Sequence, residues 1–422
     1  MRILELHSPY FRSLWRREHD VLCWGRHDHC DLVSNVPATR LTDVLAALPS
    51  GWNPDLIVFG DDSRLLYVTG LEEAPCPTVM LSIDAHHHAG WHAPLASVCD
   101  ASFVAQRDYL PSYEIAGATG VQWLPLWAPD DVPEPAAEKS YDVSFVGTLD
   151  PTLNPVRVAF VDALRSVLPL HVASGDWRPV FGRSRIVLNQ TVKADLNFRV
   201  FEAMAAGALL LTERTGNGLL DLFADGEHLV TYARSNVDDA VETARRCLED
   251  EPTRAEIAAR GSAVVRERHC ERHRAAAVLA RASGPLPVVT RERRLAGAAR
   301  AYGMLAHYAG RLERRWPEDY FGVLREVYTL AATLLTHRPE LPEPDRRAVL
   351  GMLALEREDV PGALAHLEWA ATHGSRPEDH VLRVEALLRQ GDIGSVRDAA
   401  IVLRAAHPDY ELGRTIAEGL GV

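Results

Sequence analysis

The sequence lacks long apolar segments, and its first residues do not resemble a leader that would direct a chain into or across a membrane. No run of about 18 apolar residues occurs in its 422 residues, so no transmembrane helix is predicted. The first residues, 1–6, carry a glutamate inside their only apolar stretch and lack a small-residue cleavage site, unlike a signal peptide. We therefore expect a β-strand at the N-terminus and a cytoplasmic protein.

Positive charge and paired cysteines are also scarce. Lysine and arginine number 45 against 58 aspartates and glutamates, which gives a formal net charge of −13. This balance disfavours duplex DNA and anionic membranes as partners but still permits a local basic pocket for phosphate. The six cysteines include no C-x-x-C pair, so we expect them to be buried thiols.

Signatures of several other enzyme classes are missing from the sequence. It contains no G-x-x-x-x-G-K-[ST] phosphate loop, no H-E-x-x-H zinc motif and no G-x-S-x-G nucleophile elbow. The segment 216–218 reads Gly-Asn-Gly, but the third glycine of a dinucleotide fingerprint is absent. These absences give no support to an NTPase, a zinc protease, an α/β-hydrolase or a dinucleotide-dependent dehydrogenase.

What the sequence does contain is two series of short apolar strands that alternate with helices. Such alternation predicts parallel sheets covered by helices, so the expected fold class is α/β with two Rossmann-like domains that face a cleft. The predicted strands are 2–6, 20–24, 55–59, 78–83, 101–105 and 121–126 in the first series, and 141–146, 170–173, 185–190, 208–212 and 228–232 in the second. A proline-rich stretch, 129–135, is the predicted linker. We expect Rossmann-like domains at 1–130 and 137–284.

The remaining segment, 292–422, is expected to be an all-α domain because strand patterns disappear after Pro287. Within it, 349–373 and 383–407 resemble each other weakly, each with a helix, a turn near glycine or proline and a second helix. This pattern is similar to the tetratricopeptide repeat class, while a plain helical bundle fits nearly as well. The segment is predicted to bind a partner protein, to form a dimer contact or to cap the second Rossmann domain.

The most informative segment is 181–232. A strand that ends in Asn189 is followed by N-F-R-V-F-E-A-M-A-A-G at 197–207 and by an apolar strand that ends in Thr212-Glu213. This order resembles the second domain of the GT-B glycosyltransferases, and most closely the branch that includes the spore maturation protein CgeB. The resemblance extends back to S-F-V-G-T at 144–148 and covers roughly residues 60–280.

The resemblance implies a glycosyltransferase that uses a nucleotide diphosphate sugar as co-substrate, with no other cofactor and no metal. The residues that it places at the nucleotide-sugar site are Gly147, Thr148, Asn189, Lys193, Asn197, Arg199, Glu202 and Glu213. In the family the helix glutamate, here Glu202, binds the ribose hydroxyls. Many members also have a glutamate eight residues earlier, where this chain has Ala194. That departure puts a retaining mechanism in doubt.

These residue types suit the implied chemistry. Lys193 and Arg199 can neutralise a diphosphate, and Asn197 is a suitable N-cap for the helix that carries Glu202. A helix N-terminus also attracts phosphate through its unpaired N–H groups. Gly147 leaves room for a close approach of ligand to backbone.

A histidine-rich segment, 84–92, follows the strand 78–83 and is expected to be a loop at the cleft. Asp84, His86 and His92 are the candidate catalytic residues: a general base for an acceptor hydroxyl, an acceptor ligand or a stabiliser of the leaving diphosphate. A zinc site built by His86, His88 and His92 is a weaker alternative. His7 follows the first strand and has no assigned role.

The sequence therefore predicts transfer of a sugar from a nucleotide diphosphate sugar to a hydroxyl acceptor. Two other functions stay open: a nucleotide-sugar epimerase, and a non-catalytic scaffold of the same fold. The scaffold is favoured by Ala194, whereas Arg199 and Glu202 favour an enzyme. The sugar, the acceptor and the stereochemical outcome are not predicted.

Overall fold

The computed structural model describes residues 1–34, 39–61, 63, 68–312, 317–337, 341–374, 376–408 and 410–422. Within these residues the chain forms two compact units. Unit 1 combines Met1–Val104, Tyr109–Trp123 and Ala280–Val422, and unit 2 combines Ala105–Asp108 with Leu124–Leu279.

Unit 1 contains a seven-stranded parallel sheet in the order β3-β2-β1-β5-β7-β8-β9. Its strands are β1 Arg2–His7, β2 Asp20–Gly25, β3 Leu32–Val33, β5 Leu56–Gly60, β7 Thr78–Ser82, β8 Ala101–Val104 and β9 Val121–Trp123; β4 Thr39–Arg40 and β6 Val68–Thr69 pair separately. The chain reverses its direction of strand addition between β1 and β5, and this switch point is where open α/β sheets bind ligands.

The first helices of unit 1 connect these strands. They are α1 Arg12–Trp15, α2 Leu41–Ala46, α3 Ala85–Ala96 and α4 Leu110–Ile115, with short 3-10 turns at Leu71–Glu73 and Arg107–Tyr109. The segment 84–92, expected as a loop, is therefore mostly helical. Its sequence has no helical amphipathic pattern because α3 is buried on nearly all sides, so periodicity could not indicate a helix there.

Unit 2 contains a five-stranded parallel sheet in the order β11-β10-β12-β13-β14. Its strands are β10 Tyr141–Val146, β11 Leu170–Ala173, β12 Ser184–Asn189, β13 Leu209–Glu213 and β14 Val230–Tyr232. Its helices are α5 Pro155–Arg165, α6 Arg178–Phe181, α7 Phe198–Ala205, α8 Leu219–Leu222, α9 Val237–Glu249, α10 Glu251–Arg268 and α11 Glu271–Ser283, the last of which ends in unit 1. The switch point of this sheet lies between β10 and β12.

The C-terminal segment is helical, as expected. Its helices are α12 Arg291–Leu312, α13 Pro317–His337, α14 Glu343–Glu356, α15 Val360–His373, α16 Pro377–Gln390, α17 Ile393–Ala406 and α18 Glu411–Leu420. α14–α15 and α16–α17 form two hairpins, and their second helices start at equivalent caps, where Asp359 and Asp392 each accept a hydrogen bond from the residue three positions later.

The helical segment shares one hydrophobic core with the first sheet. α12 packs against α3, and the common core contains Leu6, Trp91, Leu305 and Met352. A side chain at Gly297 would collide with Ser97, so the close approach of the two helices depends on that glycine. The C-terminal helices are therefore an integral part of unit 1.

Two buried ionic clusters lie among the C-terminal helices. Arg300, whose side chain is 2% exposed, contacts Asp345 and forms hydrogen bonds of 2.7 and 3.0 Å to the carboxylate of Asp379. His307 lies 2.9 Å from Glu356 and 3.0 Å from Glu385. Burial lowers the pKa of His307, but the hydrogen bonds to both glutamates outweigh it and leave the pKa raised.

No helix within the described residues is long and apolar enough to span a membrane. The six cysteines are all free thiols; Cys23, Cys30, Cys99 and Cys270 are buried, and Cys76 and Cys247 are partly buried.

Candidate functional site

The nucleotide-sugar residues predicted from the sequence gather at the carboxyl edge of the unit 2 sheet. Gly147 follows β10, Asn189 ends β12 and Glu213 ends β13. α7 starts near the same edge and carries Arg199 in its first turn and Glu202 in its second. The fold therefore places the predicted residues around the switch point between β10 and β12.

Arg199 joins the two strands at this switch point. Its Nε donates a 3.0 Å hydrogen bond to the carbonyl of Val146 at the end of β10, and its Nη1 donates a 2.7 Å bond to Asn189 Oδ1 at the end of β12. The guanidinium also lies 4.7 Å from the ring centroid of Phe145. Burial, together with Arg157, lowers its pKa to about 10, so it stays charged at neutral pH. Arg199 is thus a fixed cation rather than a solvated helix residue.

Gly147 provides the space that Arg199 occupies. A Cβ at this position would lie 2.5 Å from Arg199 Nη2 and 3.1 Å from Phe145. The Gly147 N–H donates a 3.1 Å hydrogen bond to the carbonyl of Ala173, so this amide is already engaged within the sheet. The structure therefore explains the glycine by the packing of Arg199, and the neighbouring Thr148 is exposed.

Asn189 is completely buried and supports Arg199. Its Oδ1 accepts the bond from Arg199, and its Nδ2 donates a 3.0 Å bond to Thr212 Oγ1 on β13. The Tyr232 hydroxyl donates a 2.8 Å bond to the Asn189 carbonyl. With these groups engaged, Asn189 acts on the site through the orientation of Arg199.

Glu213 connects two loops at the same edge. Its carboxylate accepts a 2.9 Å hydrogen bond from the Thr191 N–H, a second bond from the Thr191 hydroxyl and a 3.0 Å bond from the Ser235 N–H. The side chain is completely buried. Glu213 therefore holds the loops that follow β12 and β14 in place.

Glu202 is a partly buried carboxyl with an unusual affinity for protons. Burial raises its pKa to about 7, and the opposing attraction of Arg199 is smaller. It accepts a hydrogen bond from the indole of Trp177, and Arg178 lies over that indole, 5.2 Å from its centroid. A carboxyl that is desolvated beside a fixed cation is a typical feature of a binding or catalytic site.

The loop between β12 and α7, residues 190–197, contains Lys193 and Asn197 and is named here the donor loop. Lys193 and Ala194 adopt φ angles of 57° and 60°, the left-handed region that residues with a side chain rarely occupy. Lys193 is exposed, yet the surrounding protein desolvates its ammonium enough to lower the pKa.

Asn197 is the N-cap residue of α7, but its side chain does not cap the helix by a hydrogen bond. Its Oδ1 is buried and has no hydrogen-bond partner among the residues that the structure describes. Its side chain is instead hydrogen bonded to Asp195 in the same loop. Asn197 therefore has the position of an N-cap without the capping hydrogen bond that the sequence led us to expect.

Two residues at this edge of the sheet were not predicted from the sequence. Arg157 on α5 donates bonds of 2.9 and 3.1 Å to the side chain and carbonyl of Gln190, and its charge acts on Asp195 and Arg199. Trp177 orients Glu202. One feature of the sequence could have indicated Arg157: it lies in the first turn of the helix that follows the S-F-V-G-T strand, where residues commonly bind phosphate.

In unit 1, Asp84, His86 and His92 lie on or next to α3, which follows β7. Asp84 is the partly exposed N-cap residue, and its N–H donates a 2.9 Å bond to Asp61 Oδ2. His86 lies in the first turn and is buried, with 8% exposed. His92 lies two turns further along the helix and is completely buried.

His92 is a core residue whose ring contacts a hydrogen-bonded pair of hydroxyl groups. Its Nδ1 lies 2.8 Å from Ser82 Oγ, which in turn lies 2.5 Å from the Tyr113 hydroxyl. Burial lowers its pKa to about 3, so it is neutral at physiological pH. A base this weak accepts protons poorly near pH 7, which favours a supporting role for His92.

Asp61 is the central polar residue of this edge and was not identified from the sequence. It directly follows β5 at the switch point and is 2% exposed. Its carboxylate accepts hydrogen bonds of 3.1, 2.9 and 2.8 Å from the N–H groups of Ile83, Asp84 and Ser63, and lies 3.7 Å from His92 Nε2. The sequence feature that could have indicated Asp61 is its position immediately after a strand made only of apolar residues.

His7 ends β1 on the other side of this switch point. It has a φ angle of 72°, and burial lowers its pKa well below the ordinary value. A Cβ on Gly25 would lie 2.7 Å from the His7 carbonyl, so the backbone passes unusually close here. Among the residues that the structure describes, no group of three histidine, cysteine or acidic side chains is arranged to hold a metal ion, and this includes His86, His88 and His92.

The unit 2 sheet lies in a stretch of the chain that matches a known protein family. Residues 135–280 match the family model described as "Glycosyl transferase-like". A search of curated proteins finds no match to the chain. The matched stretch contains the strands of the unit 2 sheet, and Arg199 and Glu202 with them.

Solved structures are similar to about two thirds of the chain. Anabaena HepE in complex with UDP-glucose is 13% identical with a TM-score of 0.52, over 66% of this chain and 100% of that one. Its complex with UDP and glucose is 12% identical with a TM-score of 0.51, over 68% and 100%. A glycosyltransferase from Rickettsia africae is 9% identical with a TM-score of 0.50, over 66% and 97%. The predicted fold class, a GT-B type α/β protein followed by a helical segment, is confirmed.

Proposed function

We propose that this protein transfers a sugar from a nucleotide diphosphate sugar to a hydroxyl acceptor. The observation that carries the proposal is the fixed guanidinium of Arg199 at the switch point of the unit 2 sheet, in the same helix as the desolvated carboxyl of Glu202. This pairing suits a ligand with a diphosphate and a ribose, since the cation matches the phosphates and the carboxylate accepts bonds from ribose hydroxyls. The family model over 135–280 supports the same chemistry.

The reaction needs a stabilised leaving group. The acceptor oxygen forms a bond to the anomeric carbon while the bond from that carbon to the phosphate oxygen breaks. The acceptor proton passes to a base, and the nucleoside diphosphate leaves with an added negative charge. Arg199, Lys193 and the N-terminus of α7 offset that charge without a metal in this proposal, and Arg157 adds positive potential.

A UDP-sugar is the donor to test first, because the HepE structures contain UDP and UDP-glucose. For the acceptor we propose the carboxyl edge of the unit 1 sheet, where Asp84 and His86 are the candidate bases and His92 and Asp61 support them. Assignment to the CgeB-like branch rests on the motif at 197–207. A tetratricopeptide-like role for the two C-terminal hairpins, with a protein as acceptor or partner, rests on their matching caps at Asp359 and Asp392.

Release of nucleoside diphosphate from a panel of UDP-, GDP-, dTDP- and ADP-sugars, without acceptor, tests this function. We expect slow hydrolysis of one donor by the wild-type protein and none by Glu202→Ala or Arg199→Ala. Water replaces the acceptor hydroxyl in this assay, so the acceptor need not be known. Binding of a nucleotide sugar without any turnover, even with cell extract as acceptor, would favour the scaffold function instead.

A further inference from the structure

The donor loop contains a turn with an unusual backbone conformation. Two successive residues with side chains, Lys193 and Ala194, adopt left-handed φ angles. Such residues are strained and persist only where the surrounding structure fixes them. Within the loop, Asp195 Oδ1 accepts a 2.6 Å bond from the Val192 N–H, and the Asp195 N–H donates a 3.4 Å bond to the Val192 carbonyl. Neither bond reaches the carbonyl of Ala194 or the backbone of Leu196.

A short segment that belongs to unit 2, residues 105–108, supplies the first external support, and we name it the strap. Gln106 in the strap is 1% exposed. Its Oε1 accepts a 2.8 Å hydrogen bond from the Leu196 N–H, and its Nε2 donates a 3.2 Å bond to the Leu196 carbonyl. One side chain thus satisfies both backbone groups of a donor-loop residue.

The strap provides a second support through Asn217. Asp108 Oδ2 accepts a 2.8 Å bond from the Asn217 N–H, and Asn217 Oδ1 accepts a 3.1 Å bond from the Asp108 N–H. Asn217 Nδ2 then donates a 2.9 Å bond to the carbonyl of Ala194. A side chain at Gly216 would collide with the Asp108 carboxylate, so this arrangement requires the glycine.

We propose that Gln106, Asp108 and Asn217 are positioning residues for the nucleotide sugar. They fix the carbonyl of Ala194 and both backbone groups of Leu196, and so hold the left-handed turn whose exposed member is Lys193. This inference rests on the proposed function, in which Lys193 faces the leaving diphosphate. The strap thereby sets affinity for the diphosphate part of the donor, without any contact to the nucleoside.

The experiment compares Gln106→Ala and Asp108→Ala with wild type. Each is titrated with the nucleoside diphosphate that binds wild type and with the corresponding nucleoside, and amide hydrogen exchange of 192–197 is followed in the free proteins. Loss of a charge-assisted contact predicts about tenfold weaker binding of the diphosphate. Binding of the nucleoside is expected to stay the same, and the loop amides are expected to exchange faster.

Asp250→Ala is the matched control because it removes a 3.1 Å bond from a side chain to the Thr253 N–H at the start of α10. It is expected to change neither titration. Asp108 is exposed, so Asp108→Ala keeps the test valid if removal of the buried Gln106 side chain prevents folding.

Four outcomes overturn the proposal. Equal loss of nucleoside and diphosphate binding, or equal effects in Asp250→Ala, would assign the strap a general structural role. Unchanged diphosphate affinity in both strap variants would refute positioning while the proposed function stands. Wild-type protein that binds no nucleoside diphosphate would refute the proposed function itself, and this inference with it.

Discussion

Replacing Glu202 by glutamine makes the most informative perturbation of the donor site. Glutamine keeps the size and the acceptor for the Trp177 indole but removes the titrating proton. Burial raises the pKa of Glu202 from 4.5 to about 7, so its stabilising contribution is fully present below pH 4.5 and is lost as pH rises through 7. A shift of this size corresponds to about 3 kcal/mol of unfolding free energy between those limits.

The variant is therefore expected to be more stable than wild type at pH 8 and nearly equal at pH 4.5. For a domain of this size, 3 kcal/mol corresponds to a difference of roughly 10 °C in melting temperature. Thermal melts of both proteins between pH 4.5 and 8.5 measure it, and all other titrating groups cancel in the difference. The same variant is expected to bind nucleoside diphosphate more weakly, because the ionised carboxylate accepts stronger bonds from ribose hydroxyls.

A variant that gains stability and loses binding indicates that the wild-type residue is kept for function at a cost in stability. Melting curves of wild type and Glu202→Gln that stay parallel across the pH range would show that the carboxyl is solvated and its pKa ordinary. That result would remove the electrostatic part of the argument for this residue.

Other perturbations have equally direct outcomes. Gly147→Ala is expected to displace Arg199 and to weaken nucleotide binding at least about tenfold in a folded protein. Gly419→Ala is the neutral control in the same titration, because its added Cβ meets no described atom within 4 Å apart from its chain neighbours and its own helix backbone. Arg300→Ala removes the arginine that pairs with buried Asp379 and leaves Asp345 with Arg376 at 3.3 Å. Urea unfolding is therefore expected to show a loss of about 3–5 kcal/mol, and a loss below about 1 kcal/mol would contradict the ionic cluster. Because the pKa of His307 is raised in the folded protein, the stability that its protonation contributes is present below pH 6.5 and is lost as pH rises through the folded-state pKa. Thermal melts from pH 6 to 9 should show this decrease in wild type and not in His307→Gln.

Local patterns were enough to predict the sheets because their strands are apolar on both faces and bounded by turn residues. The strand predicted at 170–173 agrees with β11 at both ends, and 141–146 agrees with β10. Strand ends were predicted less accurately where apolar residues continue beyond the last hydrogen bond between strands. For example, a strand was predicted at 121–126, but β9 ends at Trp123.

Contacts between distant segments were not accessible from the sequence. Asp61 organises the turn at Asp84 from 23 residues away, and Gln106 reaches Leu196 across 90 residues. No periodicity or spacing marks such pairs, since each depends on the order of strands in a sheet. Arg199 and Glu202 were identified because a contiguous motif carries them, and their electrostatic surroundings became known only from the packing.

Binding of nucleoside diphosphates tests the central claim, a donor site around Arg199 and Glu202, most directly. Thermal shifts are measured with the diphosphates UDP, GDP, dTDP and ADP, and with the monophosphate CMP, for wild type, Glu202→Ala and Arg199→Ala. At one hundred times the dissociation constant, a ligand that binds only the folded protein adds about 2.7 kcal/mol of stability. We predict a shift with one nucleoside diphosphate that is lost in both variants. No shift with any nucleotide, or a shift that both variants retain, would contradict the account.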